Sequence, residues 1–197
     1  MRRRRFVGMK YFALGILCFL TVGCASFPGN NLPKYTYEQV VIREPKPAVD
    51  YDVKCYSLDS ENAGSVSHFQ GEIEKVFGKS NVFSKFSTGT GKEKYHLSLV
   101  LKNDGNLAAA FISGFISGFT FTVLPGYARD NFTLIVDVKK GNELLKQYRY
   151  ENYMDTWVQL FMIFLTPTHS PVDIGKEVID GMLLAFLNDL QKDNLLL

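Results

Sequence analysis

Metal-ligand and nucleophile patterns are scarce in this chain, which has three histidines and three cysteines in 197 residues. His68, His96 and His169 lack the spacing of His-Glu-x-x-His or of a Cys-x-x-Cys partner, so the sequence predicts no metal site. A Gly-x-Ser-x-Gly elbow is also missing, and the Gly89-Thr-Gly-Lys92 stretch lacks phosphate-loop spacing. We therefore predict a protein that is not an enzyme and has no cofactor or evident small-molecule substrate.

The polar residues of the predicted strands also support the prediction that the protein is not an enzyme. His96 is expected on the polar side of a strand, where a solvated or edge position suffices for a lone imidazole. Asp50 and Asp52 lie near another predicted strand, and a solvated face explains them without paired carboxylate chemistry. None of the three is predicted to be a site residue.

Acidic residues are missing from the opening of the chain, which predicts an export signal. Residues 1–10 contain five basic residues, and 11–22 form an uncharged apolar run. Such a run is too short to cross roughly 30 Å of hydrocarbon as a helix, and the small Gly23 suits a cleavage junction. The interpretation is a signal peptide over residues 1–23 that is removed.

The mature chain has no excess of positive charge. Removal of the signal takes away five of the 22 basic residues and none of the 20 acids, so the formal charge changes from +2 to −3. A near-neutral body gives no electrostatic support for binding nucleic acid. We predict no nucleic-acid partner.

Residues 20–24, Leu-Thr-Val-Gly-Cys, resemble the lipobox of bacterial lipoproteins, with Thr21 where that family more often has Leu. The resemblance covers the first 24 residues. It implies that the Cys24 sulfur is acylated before cleavage and its new amino terminus afterwards, with palmitate among the expected acyl groups. Ala25, in place of an Asp, implies sorting to the outer membrane, on its periplasmic face. The alternative is an ordinary secreted protein cut near Ala25.

We predict no internal disulfide bond in such a lipoprotein. Cys18 leaves with the signal, and acylation of Cys24 leaves Cys55 without a partner. Cys55 shares one face of a predicted strand with Tyr51 and Val53, so we predict a small buried side chain rather than a nucleophile.

Beyond Cys24, residues 24–47 are rich in Pro, Asn and Gly and predict a tether. Residues 48–197 are expected to form one α+β domain, with a small, mainly antiparallel sheet and helices on one face. Its predicted elements are a strand over 51–58, a helix over 66–77 stopped by Gly78, a strand over 95–102, a hairpin over 132–153 and a final helix from Pro171 to about Lys192.

An apolar insert interrupts this domain over residues 105–128, a run of 24 residues without a charge. Its Phe-Ile-Ser-Gly repeat has a period of four, which on a helix brings four small residues onto a contact face: Ser113, Gly114, Ser117 and Gly118. Three interpretations stay open, namely a hydrophobic flap packed on the domain or on a partner, partial entry of 107–124 into a membrane, and plain core.

Segments of the body resemble uncharacterised envelope lipoproteins of Gram-negative bacteria. The resemblance spans about residues 95–190 and rests on Leu124–Tyr127, Trp157–Phe161 and Pro167, and it implies no known activity. Small lipoproteins that assemble into rings, such as the curli secretion channel, are similar at the level of fold analogy only.

These patterns predict a lipid-anchored envelope protein that acts as a binding, scaffold or assembly accessory component. Its partners are expected to be the membrane, through the N-terminal lipid, and a protein or further copies of itself. The alternative is a membrane-inserting oligomeric component of a pore or export system.

Overall fold

The computed structural model describes residues 23–89, 91–105 and 124–196, and for residues 160 and 161 the backbone only. The signal peptide predicted from the sequence therefore lies outside the described residues, apart from Gly23. Most of the predicted apolar insert also lies outside them, including Ser113, Gly114, Ser117 and Gly118.

Seven strands and two α-helices make up the described chain. The strands are β1 (Gly23–Pro28), β2 (Ala48–Ser57), β3 (Ser60–Glu61), β4 (Lys85–Thr88), β5 (Tyr95–Gly105), β6 (Gly126–Lys140) and β7 (Glu143–Gln159). The helices are α1 (Ala63–Ser80) and α2 (Pro171–Asp193), with short 3-10 helices at Tyr37–Gln39 and Leu160–Phe164. The strands hydrogen-bond in the order β1-β7-β6-β5-β2-β3, and β4 pairs with β2. This confirms the predicted α+β class.

The sheet is mixed and mostly antiparallel. β5 pairs antiparallel with β6, and the two-residue turn at Gly141 and Asn142 joins β6 to β7 as predicted. β2, however, runs parallel to both β4 and β5. The reason is α1, which follows β2 in the chain and returns it to the same end of the sheet, as a β-α-β crossover does.

The chain divides into two compact units. The larger unit contains residues 28–105, 130–154 and 175–197, and the smaller unit contains 1–27, 106–129 and 155–174. The predicted domain boundaries stay predictions.

The core of the larger unit forms where alternating side chains of the strands meet the apolar stripes of the helices. Tyr51 of β2 lies edge-on against Phe77 of α1, with ring centroids 6.2 Å apart. Phe186 of α2 lies edge-on against Tyr148 of β7, at 5.5 Å. All four side chains are buried, so both helices contribute to this core.

The ends of the two α-helices show which residues start and stop each helix. The Asn62 side chain accepts a hydrogen bond from the Ser65 amide and caps α1. The helix then continues past Gly78, the predicted stop, and ends at Asn81 with a φ of 54°. The Gly78 prediction was wrong because a glycine inside a helix costs only about 1 kcal/mol, whereas the left-handed residue after the last turn ends it. The predicted start of α2 is confirmed, since Ser170 Oγ accepts from the Asp173 amide at 3.1 Å.

In the smaller unit, the chain expected to begin a tether forms β1 instead, and Ala25 and Ser26 are fully buried. The predicted tether over 24–47 therefore differs from the structure in its first residues. Composition predicted a linker, but Cys24, Ala25 and Ser26 are small enough to pack beside another strand. Among the described residues, no helix is long and apolar enough to span a membrane.

Candidate functional site

Cys24 lies in β1 of the smaller unit, with its side chain half-buried. Its carbonyl oxygen accepts a hydrogen bond from Thr166 Oγ1 at 2.8 Å. Gly23 packs so closely that a Cβ at this position would lie 2.2 Å from the Ile163 backbone nitrogen. The predicted lipidation residue is therefore part of folded structure.

Ser26, two residues further along β1, is fully buried. Its hydroxyl lies 2.7 Å from Thr156 Oγ1, and its amide donates to the His169 carbonyl at 2.8 Å. These bonds satisfy buried polar groups that β1 would otherwise leave without partners. The segment from 156 to 169 thus fixes the strand on which Cys24 lies.

An exposed apolar turn, Phe164–Leu165, lies in this same segment. The amides of Leu165 and Thr166 both donate to the Met162 carbonyl, which closes the turn. Phe164 is 79% exposed and Leu165 is 38% exposed. We call these two residues the apolar turn.

Arg129 and Asp155 form a bidentate ion pair in the smaller unit. Arg129 Nε and Nη2 donate to the two Asp155 oxygens at 2.6 and 2.7 Å, and Tyr127 Oη donates to the same carboxylate at 2.6 Å. The Arg129 hydrogen bonds hold the pKa of Asp155 below its ordinary value. This bidentate pair ties the start of β6 to β7 close to where the apolar insert was predicted to end.

The larger unit contains a cluster of two carboxylates and one imidazole. His96 Nδ1 lies 2.6 Å from Asp50 Oδ1, and His96 Nε2 lies 2.5 Å from Asp52 Oδ1. Asp50 is fully buried and also accepts from the backbone amides of Lys92 and Glu93, at 2.7 and 3.2 Å. We call Asp50, Asp52 and His96 the carboxylate-imidazole cluster.

Strand pairing brings this cluster together. β2 and β5 are parallel neighbours in which Asp50 pairs with His96 and Asp52 pairs with Ser98. Residues two apart on a strand share a face, so both aspartates lie beside the imidazole and opposite the core residue Tyr51. The loop before β5 covers Asp50 through its two amides.

The cluster is suited to holding charge rather than to nucleophilic chemistry. Burial alone raises the pKa of Asp50, but the hydrogen bonds from His96, Lys92 and Glu93 outweigh it and the net pKa is lowered. Both ring nitrogens of His96 lie within hydrogen-bond distance of a carboxylate oxygen, so both are engaged by aspartates. Ser98 Oγ donates to Asp52 at 3.1 Å and does not contact the ring, so no serine-histidine pair forms.

A cleft of about 510 Å³ opens beside the exposed side of this cluster, and Asp52, His96, Glu93 and Lys139 contribute to its lining. The two carboxylates face opposite ring nitrogens instead of one common point. In the described part of the chain, no group of three or more His, Cys, Asp or Glu side chains could hold a metal ion.

Sequence reasoning missed this cluster and placed its members on solvated faces. That interpretation was wrong for Asp50, which is 0% exposed. The available signal was the pairing of an Asp-x-Asp strand with a strand that carries His and Ser on its polar side. It could not be used because the parallel register of β2 and β5 is not readable from either strand alone.

The remaining predicted residues fall in separate places. Cys55 is 2% exposed, as predicted for a small buried side chain, and burial raises the pKa of its thiol to about 11. His68 is exposed on α1, and the His169 ring lies against Phe27 with centroids 5.0 Å apart. The predicted contact face of Ser113, Gly114, Ser117 and Gly118 lies outside the described residues.

Comparisons with known proteins show distant likenesses in fold. No family model matches the chain, and no curated protein matches its sequence. A PelC dodecamer structure from Paraburkholderia phytofirmans is similar with a TM-score of 0.37 and 8% identity, over 85% of this chain and 97% of that one. A neuraminyllactose-binding hemagglutinin homolog from Helicobacter pylori gives 0.46 and 9%, over 80% and 88%. A DUF330 protein from Xanthomonas campestris gives 0.33 and 8%, over 76% and 86%. Likenesses of this degree carry no argument about function.

Proposed function

We propose that this chain is a lipid-anchored component of a bacterial envelope, acylated at Cys24 and sorted to the periplasmic face of the outer membrane. Its folded body binds a protein partner or further copies of itself and catalyses no reaction. The resemblance of residues 20–24 to a lipobox, directly after an export signal, is the observation that carries this proposal.

The chemistry of the two described cysteines supports the choice of Cys24. Cys55 is buried in the core of the larger unit with a raised thiol pKa, so its sulfur is a poor acceptor of an acyl or alkyl group. Cys24 is half-buried in β1, and its side chain is more accessible than that of Cys55.

The anchor would differ from the tethered arrangement that composition predicts. β1 begins at Gly23 and is hydrogen-bonded through Ser26 to the segment around Thr156 and His169. A lipid on Cys24 would therefore connect directly to folded structure, and the smaller unit would lie close to the membrane surface.

Metabolic labelling tests the proposed anchor. Cells that express the full chain are grown with a fatty-acid analogue, and the wild type is compared with Cys24→Ser and with the control Cys55→Ala. We expect label on the wild type and on Cys55→Ala, and unlabelled precursor for Cys24→Ser, because a hydroxyl cannot form the thioether-linked lipid. Label that persists on Cys24→Ser would exclude Cys24 as the anchor.

Binding to a partner or to further copies is the second part of the proposal. The predicted contact face tests it: Gly114→Leu with Gly118→Leu should abolish crosslinked species in whole envelopes, because leucines hold two backbones apart where glycines allow close approach. Phe115→Leu is the matched control and should preserve them. Unchanged crosslinking in the double variant would exclude the predicted contact face as the site of association. Alkaline extraction of a Cys24→Ala variant tests the membrane-inserting alternative: a chain that stays in the membrane without its lipid would favour insertion, and a released chain would leave the lipid as the anchor.

A further inference from the structure

We propose that the apolar turn, Phe164 and Leu165, inserts into the lipid bilayer beside the acyl chains of Cys24 and forms a second membrane contact. The inference rests on the proposed function, since it needs a lipid on Cys24. It adds a protein surface that orients the smaller unit on the membrane.

The geometry of β1 places the two features side by side. Thr166, the residue after the apolar turn, donates its hydroxyl to the Cys24 carbonyl at 2.8 Å. On the other side of the turn, the Ile163 backbone nitrogen lies 2.2 Å from where a Gly23 Cβ would be. Thr166 therefore contacts Cys24, the first residue that remains after the proposed cleavage, and Ile163 lies beside the position that precedes it. Acyl chains on Cys24 must enter the hydrocarbon, so the turn that holds this residue lies at the headgroup boundary.

The composition of the turn suits that boundary. Residues 156–172 contain no Lys, Arg, Asp or Glu, so entry of the turn desolvates no charge. Phe164 presents 79% of its surface and Leu165 presents 38%. Val172 and Leu124, in the same unit, are 66% and 50% exposed. Phe164 and Leu165 are adjacent exposed apolar residues, and phenylalanine and leucine are side chains that bury favourably at the boundary of headgroups and acyl chains.

An exposed apolar residue in the larger unit provides the contrast. Leu144, in the β6–β7 hairpin, is 52% exposed. Its chain neighbours include Lys139, Lys140, Glu143 and Lys146, and a charged hairpin tip resists entry into hydrocarbon. Leu144 is therefore a matched control for the apolar turn.

Insertion of the apolar turn should be measured as the depth of residue 164 in the bilayer, and not as the fraction of protein that stays bound to the membrane. A chain held by two or more acyl groups stays on the membrane without further help, so loss of one phenylalanine need not release it. The position of residue 164 relative to the acyl chains is the quantity that distinguishes insertion from mere proximity.

Tryptophan quenching measures that depth in the full-length, lipidated protein. The one native tryptophan is first removed by Trp157→Phe, which keeps a ring beside Tyr127. Phe164→Trp or the control Leu144→Trp is then added, and each protein is reconstituted into phosphatidylethanolamine and phosphatidylglycerol vesicles that carry bromine on the acyl chains. We expect a blue-shifted emission at position 164 that loses most of its intensity to brominated lipid, and an unshifted, unquenched emission at position 144.

Mass spectrometry of the same preparations separates the two hypotheses. Lipid on Cys24 without quenching at position 164 would overturn the insertion and leave the anchor standing. Absence of lipid together with absence of vesicle binding would overturn both. A blue shift at position 164 that follows protein concentration and ignores lipid would assign the turn to contacts between copies, and would also overturn the proposal.

Discussion

At the scale of single residues, Asp50 shows how strongly a buried charge depends on its partners. It is fully buried and accepts hydrogen bonds from one ring nitrogen and two backbone amides. Because the Asp50 side chain is 0% exposed, removal of its charge leaves buried donors without their acceptor.

Asp50→Asn should therefore lower the free energy of unfolding by about 1 to 3 kcal/mol, because the amide nitrogen of Asn presents hydrogens to donors that need an acceptor. Asp52→Asn is the control and should cost less, since Asp52 is one third exposed and water can replace its bonds. Urea unfolding of the mature protein in mild detergent, followed by circular dichroism, measures both. Equal losses at the two positions would show that burial of Asp50 does not decide its contribution.

Gly23 provides a residue-scale test of signal cleavage. An added Cβ would lie 2.2 Å from the Ile163 nitrogen, so Gly23→Ala should be destabilising wherever residue 23 stays attached. If cleavage precedes Cys24, the alanine leaves with the signal, and the mature variant should have the melting temperature of the wild type. Gly29→Ala is the control within the mature chain. Its Cβ would lie 2.6 Å from Asn152 Oδ1 and 2.7 Å from the Tyr153 ring, so its melting temperature should fall. A lowered melting temperature for Gly23→Ala would contradict removal of the signal.

What sequence reasoning captures at this scale is the alternation of side chains, not their partners. Cys55 was predicted to be buried because it shares a face with Tyr51, and that needs one strand only. Asp50 was misassigned because its burial depends on a loop and on a neighbouring strand, which become visible only when the register is known.

At the scale of elements, long periodic segments were predictable. The stripe of α2 extends over six turns and its start carries both a serine cap and a proline, so its limits followed from the sequence. The β6–β7 hairpin followed likewise from Lys140-Gly-Asn-Glu143, with Gly141 at a φ of 59°. The parallel pairing of β2 was not predictable, because α1 determines it and no local pattern reports which strand a crossover reaches.

The stripe of α2 should dominate the stability of the larger unit. Phe186 and Met182 are fully buried, so Phe186→Ala should lower the free energy of unfolding by about 3 to 5 kcal/mol through lost contacts and the cavity left behind. Glu177→Ala, on the exposed side of the same helix, is the control and should change it by less than about 0.5 kcal/mol. The same urea series measures both variants, and a neutral Phe186→Ala would place α2 outside the core.

Asp189 connects α2 to the sheet through a hydrogen bond. Its Oδ2 accepts the Tyr150 hydroxyl at 3.0 Å. Burial, and secondly the nearby Asp189 carboxylate, raise the pKa of Tyr150. Asp189 therefore links α2 to β7, and only the tertiary contact reveals this role.

At the scale of the whole molecule, the proposed export signal and the proposed lipid on Cys24 lead directly into β1. The sequence alone predicted export and lipid anchoring, because a basic start, an apolar run and a small residue before a cysteine are contiguous. It predicted a tether where the structure has β1, because the partners of Cys24 and Ser26 lie more than 100 residues away in the chain.

The mass of the N-terminal peptide of the mature protein tests lipidation of Cys24 most directly. Protein purified from membranes in detergent is digested, and its N-terminal peptide is analysed by mass spectrometry. Lipidation of Cys24 should give a peptide that begins at Cys24 and carries the mass of a diacylglyceryl group and an amide-linked acyl chain. An unmodified peptide that begins at Ala25, or one that still contains residues before Cys24, would contradict it.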